Sequence, residues 1–194
     1  MAKKTLAVMI GFIGLILSVP AATKEEKLPA DLLTEDAHFK RCSRGQLKAY
    51  SFFHVGYAAL YLQRCQHINT IFDKSPKRLR FVYERSIPAR AFREAAEKYL
   101  QINLGKQFDP WRKAIDQFNQ GYRDIEDGDY YELIYDPETG LRLYFNGAQM
   151  TILRDPGIGL AYFNIWFGKE PFSESLKEAL LTPENFPVGI TAHP

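Results

Sequence analysis

The chain holds only two cysteines, Cys42 and Cys65, and no Cys-x-x-Cys pair. That excludes a disulfide-dense scaffold and a thioredoxin-type redox motif. Its four histidines, His38, His54, His67 and His193, stand at no metal-ligand spacing. His54, set among aromatic residues, reads as a core histidine with a satisfied nitrogen rather than a base. The chain has no Gly-x-Ser-x-Gly elbow, no phosphate-binding loop and no His-Glu-x-x-His motif. An acidic stretch, Asp124 to Asp129, puts Ile125 where a calcium loop needs an oxygen ligand. No metal and no cofactor is therefore expected. Repeats and low-complexity segments are lacking too.

Long apolar runs are also scarce. The one at the start, Thr5 to Val19, has 15 residues, short of the roughly 20 a membrane-spanning helix needs. Lys3 and Lys4 precede it, and Val19-Pro20-Ala21 follows with small residues of the kind a signal peptidase reads. Residues 1–21 are expected to be a signal peptide cleaved after Ala21, giving a periplasmic or secreted protein. No cysteine follows the run, so a lipoprotein anchor is not indicated, and no stable membrane anchor is expected after cleavage. Residues 22–36 then read as a polar leader, 37–182 as one domain and 183–194 as a tail. The formal charge of +2 falls to zero without residues 1–21, which carry two lysines and no acid. A neutral domain exerts no general pull on nucleic acid or anionic lipid. In an oxidising compartment the two cysteines either bridge or stay as separate buried thiols; a bridge requires their Cα atoms within about 7 Å.

What the chain does have is apolar and aromatic mass: 46% hydrophobic residues, with 14 Phe and 11 Tyr. That load suits a broad buried surface or an apolar pocket. Its densest stretch is Arg44 to Leu62, RGQLKAYSFFHVGYAALYL. Ser43-Arg44-Gly45 reads as a turn after a short strand, Ala37 to Cys42, and a long central strand follows, interrupted only by Gly56. Leu79 to Ser86 alternates, with Leu79, Phe81, Tyr83 and Arg85 on one side. Ala89 to Leu104 has helical spacing and meets Gly105 at its end; a second helix starts near Asp109-Pro110. Tyr130 to Tyr135, Leu141 to Phe145 and Gln149 to Arg154 form a meander with an Asn146-Gly147 hairpin signal. Leu160 to Phe167 is apolar nearly all round and predicts a buried helix holding Trp166 in the core. A last helix is capped by Ser173 or Ser175.

Two arginines bear on function. Arg44 and Arg85 each adjoin apolar strand residues, and an arginine aimed into an apolar cavity holds a carboxylate through charge-assisted contacts. The alternative for each is a pairing with Asp or Glu at the sheet rim.

The run from Arg44 to Leu62, the segment Ile165-Trp166-Phe167-Gly168 with Pro171 and Leu176-Lys177-Glu178-Ala179-Leu180-Leu181, and Arg85, Gly128-Asp129 and Asn146-Gly147 in order between them, resemble the chalcone isomerase superfamily. The C-terminal segment looks like that of its exported bacterial members. The resemblance spans about residues 30–182. It implies an α+β fold, an antiparallel β-sheet with a layer of helices on one face and a ligand cleft between them. The plant enzymes of this superfamily close a flavanone ring with an arginine, a threonine, a tyrosine, an asparagine and a C-terminal Ser or Thr. Those positions fall on Arg44, Gly56, Phe92, Tyr99 and Ser173. Gly56 and Phe92 lack the hydroxyls that oxyanion and proton-transfer roles require. Non-catalytic members bind fatty acids, with an arginine at the carboxylate. The expected ligand is thus a small amphipathic carboxylate held by Arg44, with Phe53, Tyr57, Phe92 and Tyr99 as walls. Two other readings stand beside it: an isomerase or intramolecular lyase using Arg44, Ser173 and Tyr57, and a structural or interaction protein with a filled cleft.

Overall fold

Alternating apolar residues bring seven strands together in sequence order, every neighbour antiparallel. A computed structural model describes residues 27–34, 37–49 and 53–184; the expected cleavage site after Ala21 and most of the tail lie outside these. The strands are β1 (Asp31–Leu33), β2 (His38–Ala49), β3 (Phe53–Leu62), β4 (Lys77–Tyr83), β5 (Tyr130–Asp136), β6 (Gly140–Phe145) and β7 (Ala148–Leu153). The α+β architecture is as expected. Between β4 and β5 lie α1 (Ala89–Leu104) and α2 (Phe108–Asn119); after β7 come α3 (Pro156–Ala161), α4 (Asn164–Phe167) and α5 (Glu174–Leu181).

The organising stretch departs from its expected form. Arg44 and Gly45 are not a turn but lie within β2, opposite Ala59 and Ala58. The stretch folds as two antiparallel strands, with Ala49 opposite Phe53. Register shifts fall between Arg41 and Ser43 and between Leu47 and Lys48. These bulges exchange the faces that strict alternation assigns. Leu47, Val55, Ala58 and Leu60 pack under the helices, while Tyr57, Ala59 and Tyr61 face the other way. Gly56 sits at the second bulge with φ 153°, a conformation that glycine adopts without strain. Gly45 lets α5 approach, since a Cβ there would lie 2.8 Å from that of Ala179.

The main core lies between the sheet and the helices. Leu79, Phe81 and Tyr83 of β4, Tyr131, Leu133 and Tyr135 of β5, and Leu100, Phe118 and Ile165 all belong to it. The apolar run around Trp166 breaks into two short helices rather than one, and Trp166 is only half-buried, packed on Phe81 at 5.0 Å. Asp155 caps α3 by accepting from the amides of Gly157 and Ile158. Asn146 and Gly147, with φ of 48° and 84°, make the expected hairpin. Cys42 and Cys65 are bridged, with Cα atoms 5.2 Å apart. The bridge ties β2 to the 3-10 turn Cys65–Thr70 that follows β3.

The opposite face of the sheet has a second, smaller core of Leu28, Phe39, Ala59, Tyr61 and Val82. Residues 27–33, expected to be an exposed leader, supply Leu28 and the edge strand β1. The sheet thus begins at Asp31, six residues earlier than the expected boundary at Ala37.

Candidate ligand site

The seven residues singled out in the sequence divide between the two faces. Phe92 reaches from α1 into a tyrosine layer, its ring 5.4 Å from Tyr83 and from Tyr122 and 5.3 Å from Tyr131. Gly56 adjoins this side without a side chain. Tyr99 turns against Phe172, 5.7 Å away. Ser173 is the N-cap of α5, its Oγ accepting from the Leu176 amide at 3.3 Å. Phe53 pairs with Ala49 at the open end of β3 and is half exposed.

The hydroxyls on this side are engaged in structure. Tyr122 and Tyr162 share a bond of 3.1 Å, and Tyr162 donates to Asn119 Oδ1 at 2.7 Å. Tyr131 donates to the Arg123 carbonyl at 2.7 Å. Burial pushes the Tyr131 phenol up to about 12, and Tyr83, Tyr122 and Tyr162 are raised by the same cause. A general acid or base works best with a pKa near the operating pH, and these phenols are far from it.

Arg44 and Tyr57 are on the other face, diagonal neighbours on β2 and β3. The Arg44 side chain is 53% exposed and its Nε lies 3.0 Å from Glu184 Oε1. Arg41 Nε donates to the other oxygen of Glu184 at 3.2 Å. Tyr57 meets the edge of His54 at 4.9 Å, and His54 Nε2 lies 2.6 Å from Glu84 Oε2. His54 is therefore satisfied, as expected, but on the outer face rather than in the main core. Arg85 is exposed and its Nε donates to the His54 carbonyl at 2.9 Å. Arg44 thus takes the acidic partner of the alternative reading, whereas Arg85 bonds a backbone carbonyl.

Deeper on the same face lies a charged group that the sequence reading missed. Arg78 Nε and Arg80 Nη2 donate to the two oxygens of Glu132 at 2.7 and 2.9 Å. Arg80 lies over the Tyr130 ring at 4.9 Å and Arg78 over Phe39 at 5.6 Å. The period-two placement of Arg78 and Arg80 in β4 was the available signal, but their burial depends on residues 27–33 folding over them. Among the described residues, no three His, Cys, Asp or Glu side chains gather as a metal site would require. An open depression on α2, lined by Arg112, Lys113, Asp116, Gln117 and Gln120, includes none of the candidate residues.

The sequence model of the chalcone isomerase-like family matches residues 27–182. The chain belongs to the chalcone isomerase-like family. Among solved structures, a fatty-acid binding protein of Arabidopsis thaliana superposes with a TM-score of 0.62 at 14% identity. The match covers 79% of this chain and 90% of that one. At this identity the likeness concerns the fold. No curated protein sequence matches the chain.

Proposed function

We propose that this protein binds a small amphipathic carboxylate, such as a fatty acid, without chemically converting it. The observation that carries the reading is the separation of the candidate residues. Arg44 is on one face of the sheet, and the Phe92, Tyr99 and Ser173 positions are on the other. A catalytic set must converge on one reacting centre within hydrogen-bond reach, and this one does not. Binding asks less. Arg44 needs only its charge and its fork of donors; it is itself half open to water, while its partner Glu184 is largely buried and also held by Arg41. Arg41 keeps Glu184 paired when a ligand carboxylate takes over Arg44, which limits the cost of the exchange. Tyr57, its diagonal neighbour on β3, supplies part-exposed aromatic surface beside it. The fatty-acid binding role of the Arabidopsis relative supports the same ligand class. The bridged cysteines support passage through an oxidising compartment, in line with a periplasmic or secreted location.

A second reading has its own observation. The rings around Phe92 are at van der Waals packing distance and leave the expected helix-side cleft filled, as in a purely structural or interaction domain. A displacement titration of a fluorescent fatty acid, run beside a chalcone absorbance assay, decides between them. Saturable displacement by decanoate with no chalcone turnover is expected. Turnover at enzyme-like rates overturns the non-catalytic reading, and absence of any binding favours the filled scaffold.

A further inference from the structure

The charges under residues 27–33 do not balance. Tyr61 pairs across the ladder with Arg41 on one side and with Arg78 on the other, and Arg80 and Glu132 also act electrostatically on its hydroxyl. Glu132 is buried and has both oxygens taken by Arg78 and Arg80. Of the remaining donors, Arg41 Nε bonds Glu184, which Arg44 also approaches, and two others turn to neutral acceptors. Arg80 Nη1 donates to the Lys27 carbonyl at 3.0 Å, and Arg41 Nη1 donates to the Leu28 carbonyl. Among the described residues, two more donors have no partner: the Tyr61 hydroxyl and Arg80 Nε are both buried and unbonded. Tyr61 is fully buried and Arg80 is 9% exposed.

Buried donors without acceptors are costly and rare in folded proteins. Guanidinium groups bond carboxylates and phosphates more strongly than they bond neutral carbonyls. Burial raises the Tyr61 phenol, with Arg80 and Arg41 pulling the other way, so it stays protonated and able to donate at neutral pH. The cover over this group is slight. β1 has three residues, two of them exposed, and residues 27–33 are held by Leu28, by the pairing of β1 with the edge of β2, by the Arg41 amide donating to the Ala30 carbonyl, by the exposed His38–Asp31 pair, by the two carbonyls and by Lys27 Nζ donating to the Gly128 carbonyl. Beneath lie Phe39, Val82, Tyr57 and Tyr130, an apolar patch next to the arginines.

We infer that Arg41, Arg80 and Tyr61 form an oxyanion site for the head group of an amphiphile, and that the carbonyls of Lys27 and Leu28 occupy it until the ligand displaces residues 27–33. The head group is a carboxylate or a phosphate monoester, and the tail lies on the uncovered apolar patch. This inference rests on the outer face being the ligand face, as proposed above, and adds to it an inner seat and a displaceable strap. The strap carbonyls lose their arginines when the anion arrives, so binding loosens residues 27–33 instead of ordering them.

The test uses the purified protein with decanoate, decyl phosphate, 1-decanol and inorganic phosphate as probes in displacement titrations, alongside hydrogen exchange of residues 27–33. Decanoate or decyl phosphate is expected to bind at least about tenfold more tightly than 1-decanol, and the tighter of the two names the head group. Amide exchange in residues 27–33 is expected to rise on binding. Tyr61→Phe is expected to weaken the anionic ligand about tenfold, in keeping with loss of one hydrogen bond to a charged group. It should leave 1-decanol affinity unchanged and the melting temperature unchanged or raised, because the hydroxyl it removes has no partner. Unaltered anion affinity in Tyr61→Phe, or unaltered exchange in residues 27–33, overturns the inference. If Arg44→Ala alone abolishes binding while Tyr61→Phe has no effect, the outer-face reading stands and this inner site falls. No binding by the wild type removes both. Inorganic phosphate competing as well as decyl phosphate supports the oxyanion site and overturns the role given to the apolar patch.

Discussion

Arg44 and Phe92 lie on opposite faces of the same sheet. Arg44 pairs across the ladder with Ala59, a member of the outer core, whereas Phe92 packs into the core under the helices. The layer between them is the sheet itself, so no single small molecule touches both side chains without disrupting strand pairing.

Catalysis is the first consequence. Restoring the missing hydroxyls in Gly56→Thr and Phe92→Tyr is expected to give no chalcone cyclisation above background, because Arg44 remains behind the sheet. Gly56→Thr also carries a backbone penalty. Its φ of 153° and the nearby Val82 carbonyl leave no room for a Cβ, and strained positions of this kind cost about 1–3 kcal/mol. Urea denaturation beside the chalcone assay reads both effects; appreciable turnover by the double variant would contradict the two-face arrangement.

Arg44→Ala should separate binding from stability. Arg44 is half exposed and Arg41 stays behind as a partner for Glu184, so the loss of folding free energy is expected to stay near or below about 1 kcal/mol. Fatty-acid affinity should fall clearly. Equal affinity in the variant and the wild type would remove Arg44 from the site.

Trp166 is half-buried, not enclosed, with Phe81 at 5.0 Å, Tyr162 at 6.2 Å and Phe163 at 6.5 Å. Trp166→Ala is expected to cost about 2–3 kcal/mol, below the 3–5 kcal/mol usual for a fully enclosed aromatic. A chemical-denaturation loss under about 1 kcal/mol, the surface range, would mean that α4 is peripheral.

Reducing the Cys42–Cys65 bridge opens a loop with a sequence separation of 23. Loop-entropy arguments give about 3 kcal/mol for this length. For a protein of this size that corresponds to a fall of roughly 6–12 °C in Tm, measurable by scanning calorimetry with and without dithiothreitol. An unchanged Tm would show that the bridge adds nothing to the folded state.

Lys77 makes stability depend on pH in an unusual direction. It is buried, donates to the Asp73 and Ser75 carbonyls at 2.7 Å each, and lies 4.8 Å over the Tyr135 ring. Burial lowers its pKa to about 8, with Asp73 opposing. Above that pH the folded lysine has released its proton, while the unfolded one holds it until about 10.4. The unfolded state then binds more protons, so stability rises with pH between about 8 and 10. Beyond 10 the sign reverses, because unfolded tyrosines ionise there while Tyr61, Tyr83 and Tyr122 are held higher by burial. Urea midpoints of the wild type and Lys77→Met across this range should diverge below pH 8 and converge above it.

Local signals in the chain determined a good part of the molecule. Helical spacing closed by Gly105 sets α1 at Ala89–Leu104, because a positive-φ glycine ends a helix by backbone geometry alone. Asn146-Gly147 set the last hairpin for the same kind of reason, and the alternation in β4 placed Leu79, Phe81 and Tyr83 on the helix side. The division of Arg44 to Leu62 into two strands was not legible, since no Gly, Pro or Asn punctuates the sequence between Ala49 and Phe53. Side-chain facing there depends on two bulges in the pairing of β2 with β3, and each bulge shifts the period-two pattern by one residue. That shift separated Arg44 from Phe92. The buried group of Arg78, Arg80, Glu132 and Tyr61 is likewise a product of tertiary structure. It joins β3, β4 and β5 under a polar N-terminal segment whose own composition reads as exposed. Charges can be buried there only because their partners come from strands more than fifty residues apart, a proximity that no local window of sequence contains.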